Sequence, residues 1–73
     1  MITEIGIAAG EIWNYLELKG RTGFDEILII EEPLKEKIML MALGWLAREG
    51  HVLFREENGV TFVELNKRLE THV

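Results

Sequence analysis

The stretch HVLFREENGVTFVEL, residues 51–65, restricts the possible folds of the chain more than any other. Asn-Gly is the pair that a two-residue type I′ turn requires, because both central residues take positive φ. On either side run residues of strand character, β-branched and aromatic, in alternation. A turn at Asn58-Gly59 sets Glu57 opposite Val60, Phe54 opposite Val63 and Val52 opposite Leu65. Val52, Phe54, Val63 and Leu65 then share one face, toward the core, while Leu53, Arg55, Val60, Phe62 and Glu64 share the other.

What precedes the hairpin reads as helix. In residues 3–20, Ile5, Ala9, Ile12 and Leu16 recur at helical spacing, with Ala8 and Trp13 beside them. Thr3 is the expected N-cap, Glu4 suits the first turn and Gly20 the stop. Gly6 and Gly10 lie one turn apart, and each weakens a helix by about 1 kcal/mol relative to alanine. Their expected reason is another element packed close to that side. Next, Thr22 and Asp25 have the spacing of a capping box, with aspartate in place of glutamate. A short helix over 24–30 follows, with Ile27, Leu28 and Ile30 as its apolar side; a short buried strand is the alternative. Pro33 fits the first position of a third helix that runs through residues 34–49 to a glycine cap at Gly50. Residues 66–73 form a short tail without a strong preference, and no repeat or linker interrupts the chain.

At 73 residues the chain is one domain near the lower limit for folding alone. With 48% hydrophobic residues it is too apolar to be disordered, and without cysteine it has neither disulfide nor thiolate metal site to staple it. Chains of this kind often gain stability by associating. No apolar run reaches a membrane span and the basic start of a signal peptide is missing, so a soluble, cytoplasmic, full-length prokaryotic protein is expected. Eight basic and 13 acidic residues give a net charge of −5. A nucleic-acid binder of this charge needs its cations clustered.

Helix, short helix, helix, hairpin is one order among several small α+β folds. The residues narrow it. IGIAAGEIWNYL, followed later by ALGWLAREGHV running straight into the hairpin, resembles a small winged helix-turn-helix family of bacteria and archaea once catalogued as a domain of unknown function. The resemblance covers roughly residues 4–65, and Ala42 to Gly50 is its most specific part. It implies an α+β winged helix-turn-helix fold, with three helices followed by a two-stranded wing. It implies little about activity, since fold does not fix function.

On a helical wheel the third helix carries two apolar stripes roughly 120° apart. Met39, Leu43 and Leu46, flanked by Ala42 and Ala47, form one; Leu34, Ile38, Met41 and Trp45 form the other. In winged-helix domains the stripe ending at Leu46 would face the core. The side that would enter a DNA groove then presents Lys37, Ile38, Leu40, Met41, Gly44, Trp45 and Arg48. Bases are read mainly by Arg, Lys, Asn, Gln, Ser and Thr. The chain has no glutamine or serine, and Asn14, Asn58 and Asn66 lie outside this helix. The wing tip, Glu56-Glu57-Asn58-Gly59, would repel phosphate.

Core filling is one reading of Met41 and Trp45. Against it, a small domain seldom buries two separate faces of one helix. Exposed, such a patch marks an interaction surface, and tryptophan is a favoured anchor. The expected interface residues are Ile38, Leu40, Met41, Trp45 and Phe62, and the expected occupant is a second copy in a two-fold homodimer. A heterologous protein partner would use the same surface. Arg55, directly across from Phe62, is a candidate cation–π partner for it. The alternative is a DNA-binding regulator contacting DNA through Lys35, Lys37, Arg48, Lys67 and Arg68.

No enzyme is expected. His51 and His72 are the only histidines, Glu31-Glu32 falls in a turn, and the neighbours Glu56 and Glu57 point to opposite strand faces. The glycines match no nucleotide-binding fingerprint. Neither metal nor cofactor is expected.

Overall fold

The computed structural model describes residues 2–29 and 36–68. Within them the chain forms α1 (Ile2–Lys19), β1 (Thr22–Gly23), α2 (Phe24–Leu28), α3 (Glu36–Arg48), β2 (Val52–Glu57) and β3 (Val60–Leu65). α1 and α3 pack together over one face of an antiparallel sheet of order β1-β3-β2, with α2 closing the side. This is an α+β winged helix arrangement. The start expected for α3 at Pro33, with Leu34 and Lys35, lies outside the described residues, as do Ile30 and the Glu31-Glu32 pair.

The hairpin takes the expected register over all six pairs, from Val52 opposite Leu65 to Glu57 opposite Val60. Asn58 and Gly59 adopt φ of 53° and 79°, the left-handed pair of a type I′ turn. Upstream of it, Gly50 (φ 82°) ends α3 in a Schellman motif. The Gly50 N–H donates to the Ala47 carbonyl at 3.1 Å, and the His51 N–H to the Leu46 carbonyl at 2.9 Å. Asn66 then pins the junction, its amide side chain donating to the Gly50 carbonyl at 2.9 Å.

The core is made by the periodic residues of each element. Ile12 and Leu16 of α1, Ile27 of α2, Met39 and Leu43 of α3 and Val63 of β3 are each at most 2% exposed. Ala8, Ala9 and Ala42 are buried in the same core, where α1 packs against α3.

Five details differ from the sequence reading. α1 already includes Ile2, so Thr3 lies within the helix and is not its N-cap. Thr22 is not a cap either: it is buried in β1, where it pairs with Val63, and its hydroxyl donates to the Gly20 carbonyl at 2.9 Å. Gly23 occupies the N-cap position of α2 without any side-chain cap. α2 stops at Leu28, short of residue 30, where the Ile29 N–H turns back to the Glu26 carbonyl. Thr22–Gly23 adds a third strand, too short to show any period, so the sheet exceeds the expected hairpin. Finally, no atom lies within 4 Å of where a Cβ would stand on Gly6 or Gly10, so no element of the described chain requires glycine there.

Candidate interaction surface

α3 buries one stripe and exposes another. Met39, Ala42, Leu43 and Leu46 fill the core, which turns the opposite side of the same helix outward. On that side Leu40 is 43% exposed, Met41 40% and Trp45 50%, while Ile38 is half-buried at its margin. Lys37 and Arg48 stand exposed at its two ends, and Gly44 lies open between Met41 and Trp45. The Trp45 ring reaches the end of the helix, where it leans on the His51 imidazole with ring centres 6.3 Å apart.

The outer face of the sheet is formed by alternate residues of β2 and β3. Leu53 and Val60 are exposed on it, but Phe62 is half-buried. Arg21, just ahead of β1, lays its guanidinium 4.5 Å from the centre of the Phe62 ring and donates to the Glu57 carboxylate at 3.0 Å. Arg55, the residue expected to cover Phe62, instead turns to Glu64, its Nε donating at 2.8 Å. A charge-assisted bond to a carboxylate is stronger than an exposed cation–π contact, which accounts for the choice. That hydrogen bond, together with the charge of Glu64, pushes the Arg55 guanidinium above its ordinary pKa.

Phe54 departs from its expected place. It projects from the core-facing side of β2, yet it is 46% exposed, while Val63 directly opposite is fully buried. Val63 sits in the central strand under the helices; Phe54 sits in an edge strand. Its ring packs edge-on against Phe24 of α2, centres 6.3 Å apart. Behind this pair lies a shallow, solvent-open depression of about 250 Å³ between Gly23–Glu26 and Gly59–Thr61. A second of about 230 Å³ is lined by Leu16, Gly20, Arg21, Glu64, Leu65 and Lys67. Neither holds a histidine.

The polar groups serve the fold. Tyr15 of α1 donates its hydroxyl to the Glu26 carboxylate of α2, which raises the Tyr15 pKa because the carboxylate stabilises the protonated phenol. Sequence periodicity carries no signal of this tie or of the role of Arg21. Among the described residues no group of three or more His, Asp and Glu converges on a metal position. Glu56 and Glu57 diverge as expected, one toward the Thr61 hydroxyl and the other toward Arg21.

The described cations named for DNA contact lie on α3 (Lys37 and Arg48) and in the segment after β3 (Lys67 and Arg68). Lys37 and Arg48 share the outward side of α3, and Lys35 lies outside the described residues. Lys67 lines the depression beside Gly20 and Arg21, at the β1 side of the sheet, whereas α3 leads into β2 at the other. The two arginines of the sheet's outer face are both held by carboxylates, Glu57 and Glu64. No helix among the described residues is long and apolar enough to cross a membrane.

Comparison with curated proteins returned no match, and neither did comparison with solved structures. A family model described as a winged helix-turn-helix domain (DUF2582) matches residues 1–65. That span takes in every helix and strand described above, the Schellman turn and the complete hairpin. The chain therefore belongs to the winged helix-turn-helix domain family DUF2582.

Proposed function

We propose that this chain is a non-enzymatic protein–protein interaction module that works through the outward side of α3, chiefly by forming a homodimer. One observation carries this reading: Met41 and Trp45 are 40% and 50% exposed on the helix that occupies the DNA-reading position. A methionine and a tryptophan on one helix side gain from being covered by protein and lack the paired donors and acceptors that read a base edge. The outer face of the sheet supports the same reading, since its arginines are engaged by carboxylates rather than offered to phosphate.

Sedimentation of the wild-type chain at micromolar concentration tests it, and a dimer is expected. Trp45→Glu should yield a folded monomer. Loss of an anchor tryptophan costs about 2 kcal/mol or more, roughly thirtyfold in Kd. A wild-type monomer at those concentrations would refute the self-association.

A second reading, DNA binding, is favoured by the fold itself and by Lys37 and Arg48, exposed at the two ends of the same α3 face. Anisotropy titration against mixed genomic fragments at low salt separates the two. Tight binding that weakens steeply with salt would put DNA first.

A further inference from the structure

β2 is a free edge. In the order β1-β3-β2 it has a single neighbour, and it pairs with β3 residue for residue, with neither bulge nor proline to protect its other side. β1, at the opposite edge, has only two residues to offer. The Asn66 N–H donates to the His51 carbonyl at 2.8 Å, which extends the β2–β3 ladder by one pair. Hydrogen-bonded pairs recur at every second residue of an antiparallel ladder. Leu53, Arg55 and Glu57 are therefore bonded toward β3, and the backbone groups of Val52, Phe54 and Glu56 point to the open side.

Two exposed apolar side chains flank this edge, Leu53 at 41% on one face and Phe54 at 46% on the other. Two residues before Leu53 along the chain, the His51 imidazole meets the Trp45 ring, with centres 6.3 Å apart, which places the start of β2 next to the exposed side of α3.

We propose that two copies pair β2 against β2, antiparallel about a two-fold axis, and join their sheets into one of six strands with the Trp45 side of α3 beside the junction. The proposal rests on the self-association reading and names how the second copy is held. Charge selects the pairing register. With Leu53 on the axis, Leu53 faces its own copy, Val52 faces Phe54 and Arg55 stands opposite His51; with Phe54 on the axis, Phe54 faces its own copy and Arg55 stands opposite Leu53. With Arg55 or Glu56 on the axis, two arginines or two glutamates would face each other, which costs stability. An occupant carrying this same strand is thus complementary in its apolar half. Each copy has one such edge, so the association closes at two.

Residue-resolved amide exchange on the full chain, at dilute and concentrated protein, tests the pairing. The amide of Phe54, which bonds across the axis in either register, should exchange at least about tenfold more slowly in the dimer, while those of Leu53 and Arg55 serve as references already bonded to β3. Phe54→Pro removes one outward N–H at an edge position that tolerates proline and should give a monomer. Phe54→Leu, which keeps that N–H, should remain a dimer. A wild-type dimer whose Phe54 amide stays unprotected, or a dimeric Phe54→Pro, would overturn β2 pairing and leave the α3 reading standing. A wild-type monomer at every concentration would overturn both. Should Phe54→Pro fail to fold, the wild-type exchange decides alone.

Discussion

Replacing Gly10 by alanine should stabilise the protein. Gly10 lies in the interior of the 18-residue α1, its φ is helical and a Cβ there would meet no atom within 4 Å. Nothing therefore opposes the intrinsic gain of Gly→Ala in a helix interior, about 1 kcal/mol. The unfolding entropy of about 2.1 cal/mol/K per residue comes to about 0.15 kcal/mol/K for this chain. The expected rise in Tm is thus about 6 °C. Circular dichroism melts at one fixed protein concentration would measure it, since association would otherwise shift Tm by mass action. An unchanged or lower Tm would refute the reasoning. It would mean that something does press on this side of α1, as the paired glycines first suggest.

Leu43→Ala, at a core site of α3 only 1% exposed, should cost about 2–5 kcal/mol by cavity formation. That is a large share of the roughly 5–15 kcal/mol typical of a domain, and urea titration showing a loss below about 1 kcal/mol would contradict the packing. Tyr15→Phe concerns alkaline stability. The folded Tyr15 pKa is raised, so its contribution is fully present below the unfolded value of 10.0 and fades as pH rises through the folded one. The wild type should lose stability in that window, and Tyr15→Phe should lose less, as paired melts from pH 8 to about 11 would reveal; equal slopes would argue against the tie to Glu26.

Much of the candidate surface could be read without coordinates. The two stripes of α3 follow from residue spacing, and the structure buries Met39, Leu43 and Leu46 while leaving Met41 and Trp45 outward. Phe62 belongs less to that surface than its strand position implies, because Arg21 covers it. Nothing near Arg21 in the chain points to Phe62 or Glu57. Their meeting depends on β1 docking beside β3, a contact between distant segments.

The chain's local features were legible because each is decided within a few residues. Asn58-Gly59 and Gly50 meet a demand for positive φ, and helical or strand periodicity sorts inward from outward side chains. Long-range contacts decided the rest. A two-residue strand has no period to detect, so β1 emerges only where Thr22 finds Val63. Phe54 and Val63 have the same pattern and face, yet one is half exposed and the other sealed, because one strand lies at the edge of the sheet and the other at its centre. Periodicity assigns a side chain to a face; how deeply that face is covered depends on the neighbours that the whole fold brings to it.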